Sequence, residues 1–336
     1  MSIKKANEFY DQLDHYQKKF IQDKTINATY SIRKWLAFLS KAVAYDTYAD
    51  KALKTLAFRN AWLIIFMVLS TIATFFILFI FPAPIILGVL LYFNVKTQKK
   101  FKGRDMNNYL RTFYFPVLDV LKDKAGEDAK LAASLNFNDP RKEPAEKSTQ
   151  FGRNVYAYEA TYILTKVILK DQSTLEFIIG DLLKDLNWTK TSASGKTKYK
   201  SKSKVAHLCI IKLSVSKFRY SVMSNELPEN ITLEDKGDIL VLKNKIKVKK
   251  EGKNRVLSPK ALFDGLQFLY ALLLDSGGNP VHGQSNQVAD SEFDEAALFA
   301  TVWAGEYFND YDYDSFDYED SSYHFSDNDS ESIFDS

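Results

Sequence analysis

Cysteine, glycine, proline and histidine are all scarce in this 336-residue chain, and each scarcity closes off a class of protein. The single cysteine, Cys209, excludes a disulfide-stapled scaffold and any zinc site built on paired thiolates. Thirteen Gly and eight Pro, about half the usual share, exclude collagen-like repeats and Pro/Gly-rich low-complexity chains. The four histidines, His15, His207, His282 and His324, are too dispersed for an HExxH or paired-ligand motif. Basic residues are missing from the whole C-terminal part. No Lys or Arg follows Lys260, while the last 76 residues hold 17 Asp and Glu. The formal net charge of +3 therefore conceals +20 over residues 1–260 and −17 over residues 261–336.

Apolar material is plentiful, at 46% of residues, which suffices for one or two cores. Its longest expanse runs from Asn60 to Val95, 36 residues without a formal charge. A spanning helix needs about 20 apolar residues, so this stretch is long for one crossing and short for two. Pro82 and Pro84 decide in favour of two, because they suit a turn and the first turn of a following helix. Residues 61–81 make a full span; the second, from about Ala83 to Val95, needs Lys96, Lys99 and Lys100 as snorkelling ends. The competing readings are a buried core hairpin and a single span. Lys41, Lys51, Lys54 and Arg59 precede the run, Lys96, Lys99, Lys100, Lys102, Arg104 and Arg111 follow it, and the FPAP connection holds none. By the positive-inside rule this places both termini in the cytoplasm, with the protein integral to the cytoplasmic membrane.

The expected fold class is α+β. Residues 1–59 read as N-terminal helices: an amphipathic one over 4–22, then a long one capped by Asn27 with Trp35, Leu36, Leu39, Val43, Leu53 and Leu56 as its stripe. Residues 60–95 form the transmembrane hairpin. Residues 96–125 leave the membrane as a helix opened by Asp105 and kinked at Pro116, packing with the long helix as a coiled-coil stalk. Residues 126–154 are polar with little periodicity and read as linker. Residues 155–276 form a small antiparallel-sheet domain backed by a helix that Ser258-Pro259 opens. Within it VYAYEATYILTKVIL, TLEFII, HLCIIKLSVSKF and DILVLKNKIKVK are strands, and GDLLKDLNW is a short helix or turn. Residues 277–304 read as linker and short helix, and 305–336 as an acidic, aromatic tail disordered by composition.

Lysine recurs at every second residue in two of these strands, as Lys196, Lys198, Lys200, Lys202 and Lys204, and as Lys243, Lys245, Lys247 and Lys249. On an extended strand each set projects from one face at intervals of about 6.8 Å. One reading is edge protection against aggregation; the other is a basic face for anionic lipid headgroups or a polyanion, each Lys near a membrane contributing about 1 kcal/mol. Nucleic acid is disfavoured, because no aromatic ladder accompanies the lysines. The tail is expected to compete for that face through Tyr311, Tyr313, Phe316 and Tyr318 among its acids. Catalytic and cofactor motifs are lacking. His207 and Cys209 share a strand face, for which a structural role is the preferred reading. Gly195-Lys196-Thr197 lacks the upstream glycine of a phosphate loop, with Lys190 in its place. Asp310 to Asp314 lacks the Gly and closing Glu of a calcium loop. No catalytic residue, metal or cofactor is assigned.

The succession YILTKVILKDQSTLEFIIGDL, GKTKYKSK and IIKLSVSKFRY resembles an uncharacterised group of bacterial membrane-hairpin proteins, over about residues 60–225. The resemblance implies a membrane anchor and a β-domain, and no activity. The expected role is a membrane-anchored, non-enzymatic scaffold with an unidentified protein partner. A membrane-tethered enzyme or transport accessory is the alternative.

Overall fold

The structure is a computed structural model that describes residues 2–74, 82–142, 144–150, 153–192, 195–222, 227–249 and 256–275. It is a mixed α+β fold. The N-terminal stretch breaks into α1 (Ser2–Asp11) and α2 (His15–Asp23) rather than one helix. The break is set at Asp14: its carboxylate accepts from the Gln17 backbone while the Gln17 side chain accepts from the Asp14 backbone, a capping box that restarts the helix. Asn27 caps no helix. It lies in β1 (Thr25–Ser31), after which α3 (Ile32–Thr74) runs for 43 residues.

The first half of α3 is the spine of the core. Trp35, Leu39, Ala42, Tyr45, Ala49, Ala52 and Leu56 recur at intervals of three and four, and all are buried. Leu36, Val43 and Leu53, expected on the same stripe, lie at its margin and are only partly buried. Trp35 anchors the spine to the sheet, its indole Nε1 donating to the Leu131 carbonyl at 3.0 Å. Beyond Asn60 the same helix exposes Trp62, Ile64, Ile65, Phe66, Val68, Leu69 and Ile72. By length and composition α3 is the one described helix able to cross a membrane. Next, α4 (Pro82–Arg104) packs along it; Asn60 Nδ2 donates to Gln98 Oε1 at 3.0 Å, and Phe101 is buried.

The segment after α4 starts later than Asp105, as a π-helical turn over Leu110–Tyr114 continuing into α5 (Phe115–Ala125). Pro116 sits in the first turn of α5, directly after the π-helical turn. Arg111 fastens this turn to α3, 3.2 Å from Asp46 and 2.8 Å from Asp50.

Residues read as linker carry structure: β2 (Lys130–Asn136), a 3-10 turn at Pro140–Lys142, and β3 (Glu146–Gln150). They precede β4 (Arg153–Ile168), β5 (Thr174–Thr191) and β6 (Thr197–Ser216). GDLLKDLNW belongs to β5 and is strand throughout. After β7 (Tyr220–Val222) come β8 (Ile231–Lys236), β9 (Ile239–Lys249), α6 (Pro259–Ala271) and β10 (Leu273–Asp275). The main sheet is antiparallel in the order β1-β2-β4-β5-β6-β9-β8, with β3 on β4. The sheet thus begins at Thr25, far upstream of the expected domain start at Val155. Tyr220–Val222 lies outside the main sheet and pairs with β10.

Ser258 caps α6 as expected, accepting from the Lys260 backbone. Close packing of α6 on the sheet depends on Gly265, where a Cβ would sit 2.5 Å from Ile211 Cδ1 and 2.6 Å from Ile246 Cδ1. The expected linker and short helix at 277–304 and the tail at 305–336 lie outside the described residues.

Candidate functional site

Two features of the sheet merit description as sites: a row of lysines on one face, and a buried polar cluster on the other. The lysines follow from register. In β6 the even-numbered residues from Lys198 to Lys212 share a face, since neighbouring side chains alternate. The pairs Ala206↔Lys249, Leu208↔Lys247, Ile210↔Lys245 and Lys212↔Lys243 put the β9 lysines on that same face. The two lysine series are therefore one surface. Strand β5 adds to it, because Lys190 pairs with Lys198 and Lys184 with Lys204. Lys166, Lys184, Lys190 and Lys212 were not assigned from the sequence; Lys184 falls in GDLLKDLNW, residues 180–188, read there as a short helix or turn, which left its face undefined. Lys196 precedes β6 and is exposed.

Exposure grades along this surface. Lys198, Lys200 and Lys202 are exposed, as are Lys247 and Lys249, while Lys204, Lys243 and Lys245 are half-buried. Burial, and then the nearby ammonium groups of Lys202, Lys184 and Lys249, lower the Lys204 pKa. The crowding is thus felt by the lysines themselves. At the opposite end of the face Glu176 lies 3.3 Å from Lys166 and 3.0 Å from Lys212. Burial alone would raise its carboxyl pKa, but these two cations outweigh that and hold it below the usual range. At the far end Arg153 stacks on Trp188, 5.1 Å from the ring centroid. The surface therefore concentrates positive charge along one face of the sheet.

The buried cluster joins three residues that sequence reasoning left apart. Tyr109, just before the π-helical turn, donates its hydroxyl to Asp181 Oδ1 at 2.7 Å. His207 Nδ1 is 2.7 Å from the same oxygen and 2.9 Å from the tyrosine hydroxyl. With Tyr109 donating, the contacts place the imidazole proton on Nδ1 and leave Nε2 as a buried acceptor with no hydrogen-bond partner among the described residues. Burial, reinforced by the Asp181 charge, pushes the Tyr109 hydroxyl well above the usual tyrosine range. It stays a proton donor. Cys209 shares this face with His207, and burial pushes its thiol up to about 12, so it stays protonated and unreactive at neutral pH. Carboxylate, imidazole and phenol are thus assembled, but all three residues are buried. The arrangement fastens the helical turn to the middle of the sheet. No sequence signal marks it, because its members are 72 and 98 positions from Tyr109.

Among the described residues no group of three His, Cys, Asp or Glu side chains is arranged to hold a metal. A recess between α1 and α3 is lined by Phe9, Gln12, Leu13, Ser40, Lys41 and Ala44, a set without paired acids or bases. Tyr311, Tyr313, Phe316 and Tyr318 lie outside the described residues. No protein-family model, no curated protein and no solved structure matches this chain.

Proposed function

We propose that the protein is a membrane-anchored, non-enzymatic scaffold whose apolar helices span the bilayer as a hairpin, with both termini cytoplasmic, and whose lysine face meets anionic lipid or an acidic partner. One observation carries the reading. A single unbroken helix, α3, changes from one buried along a stripe in a folded core before Asn60 to an uncharged, predominantly apolar and largely exposed one after it. Large side chains left in water at this density are unfavourable, each forgoing about 1.5–3 kcal/mol of burial, and a bilayer is the solvent that would accept them. The return helix α4 shows the same change in reverse. Ile85, Ile86, Val89, Leu90 and Phe93 are exposed, Phe101 is buried, and four lysines stand between Lys96 and Lys102. Arg59 on α3 sits at a matching level, close to the Asn60–Gln98 hydrogen bond. This is the arrangement of basic side chains that a headgroup layer favours.

The sheet is then coupled rigidly to the membrane, since the spine of its core and the apolar helix are one rod. A lysine surface held near an anionic leaflet gains from each residue within about a Debye length. Two measurements test this reading. Reporters fused at Met1 and Ser336 should both give cytoplasmic signals; opposite locations would leave a single span. The full chain should bind vesicles containing anionic lipid through its sheet in a salt-sensitive way, and replacing Lys198, Lys200 and Lys202 by Gln should remove most of the salt-sensitive part. Equal behaviour of this variant and the parent would return the lysines to edge protection.

A further inference from the structure

One buried carboxylate joins α3 to the chain that follows α4. Asp46 lies on α3 before the apolar stretch, and its side chain is 1% exposed. Its Oδ1 accepts from the Met106 backbone N–H at 3.1 Å, pinning the connection after α4. Its Oδ2 lies 3.2 Å from Arg111 Nη1 but has no hydrogen-bond partner among the described residues. The guanidinium is aimed elsewhere, with Nη2 donating to Asp50 Oδ2 at 2.8 Å and to Asn108 Oδ1 at 2.7 Å. One cation is thus divided between two carboxylates, and the poorer share falls to the one cut off from water. The other groups around the junction do not restore the balance. Helix α3 adds Tyr45, the end of α4 adds Arg104 with Asp105 beside it, α1 adds Tyr10, and Lys24 at the end of α2 acts on Asp105. Arg104 is taken up by the Tyr10 ring, 3.7 Å from its centroid. Asp46, Asp50 and Asp105 therefore share the field of Arg111.

We propose that Asp46 makes this junction a proton-sensitive clamp, which tightens as the carboxyl takes up a proton and loosens as it loses one. A buried site with surplus negative charge relieves it most directly by binding a proton. The proton forfeits the attraction of Arg111, but Arg111 keeps Asp50 and Asn108, whereas the buried charge is removed altogether. Burial, opposed by Arg111 and the Met106 hydrogen bond and reinforced by Asp50 and Asp105, pushes the Asp46 carboxyl up to about 7. Opening the junction returns the group to water, where it titrates near about 3.9. A carboxyl whose pKa is higher in the closed form binds a proton on closing. Closure is therefore most favourable below about pH 4, weakens as pH rises, and levels off above about 7. Between pH 6 and pH 8 the closing equilibrium should fall about tenfold. The consequence reaches the sheet, because Tyr109, in the same connection, donates to Asp181 on β5. The clamp does not depend on the membrane reading, since none of its residues lies within 60–95.

The test is amide hydrogen exchange of the full chain in detergent micelles at pH 6 and pH 8, corrected for intrinsic rates and read over residues 105–114. In the parent, protection should be about tenfold higher at pH 6 than at pH 8. Asp46→Asn carries no charge at either pH and keeps an acceptor for the Met106 N–H, so it should be strongly protected at both. Asp50→Asn gives the charge of Arg111 wholly to Asp46 and removes a neighbouring anion, so the difference between the two pH values should shrink. That variant decides the matter even where Asp46→Asn fails to fold. Equal protection of the parent at pH 6 and pH 8 overturns the proposal, as does a parent-like pH dependence in Asp46→Asn or an undiminished one in Asp50→Asn.

Discussion

The β5–β6 hairpin passes through two environments along its length. In the near half, Leu175, Phe177, Ile179 and Leu183 face Cys209, Ile211 and Leu213 across the register, and all are buried. In the far half, Asn187, Thr189, Lys190 and Thr191 face Thr197, Lys198, Tyr199 and Ser201, and all are exposed, Tyr199 at 89%. The backbone ladder is continuous from one half to the other. What differs is who solvates the side chains. The near half is held by burial and close packing. The far half is held by main-chain hydrogen bonds and the strand preference of Thr and Tyr, and it carries lysines that a core would reject. Burial thus anchors the hairpin at one end, and the other end is left to display charge.

If the near half is the anchor, shortening its side chains should cost most. Phe177 is fully buried between the helices and the sheet. Phe177→Ala is expected to destabilise by about 3–5 kcal/mol in denaturant unfolding, through lost transfer energy and an unfilled cavity. Tyr199→Ala, in the far half, should change stability several-fold less. Similar costs at both positions would break the distinction.

The polar cluster in the near half comes next. Asp181→Ala removes the acceptor shared by Tyr109 and His207, leaving these two buried groups only each other, 2.9 Å apart, as partners, and is expected to cost about 2–3 kcal/mol. Tyr109→Phe made on top of it should then cost less than Tyr109→Phe alone, because the hydroxyl has already lost its carboxylate acceptor. Additive costs in the double-mutant cycle would show that the three residues do not act together.

The distinction between the halves was only partly legible in the residues. Alternating lysines announce an exposed strand wherever they occur, so the far half was readable. The near half has no alternation from Leu175 to Leu183, since both faces are buried, and Leu182, Leu183 and Leu186 mimic a helical stripe. Strands β1 and β2 were hidden for another reason. TINATYS and KLAASLN are short and poor in strand-forming apolar residues, and each is stabilised by a partner about a hundred residues away, Thr25 opposite Asn136. Local propensity holds no trace of such a pairing. The cap at Ser258 and the apolar expanse at Asn60–Val95 were legible because each depends on neighbours in sequence. That both lysine rows occupy one surface turns on the parity of a single pairing, Ala206 with Lys249, which composition cannot supply.

Acid titration should separate the halves by a smaller margin. Glu176, flanked by Lys166 and Lys212, has its carboxyl held below the usual range when folded. A depressed carboxylate contributes stability that is complete above its unfolded pKa, about 4.3, and is lost as pH falls through that value towards the folded one. Stability is therefore expected to decline below about pH 4.5, with Glu176→Gln reducing the steepness of the decline. An unchanged slope in that variant would assign acid sensitivity to other carboxylates.

The smallest expected effect concerns the far half itself. Lys198, Lys200 and Lys202 are exposed, and none takes part in an ion pair of the described residues. Their neighbours on the same face are lysines too, at Lys184, Lys190 and Lys204. Replacing the three by Gln removes charge repulsion and no burial, so stability should change by less than about 0.5 kcal/mol, in the stabilising direction. The gain should fade at high salt, where screening already suppresses the repulsion within a few ångströms. Lys204 offers an internal gauge, because Lys202 contributes to lowering its pKa after burial does. In the Gln variant the Lys204 ammonium should titrate at higher pH than in the parent, measurable by NMR of a labelled side chain. A loss of more than 1 kcal/mol on this triple substitution would mean the lysines hold the far half in place, and the hairpin would then have no end devoted to display.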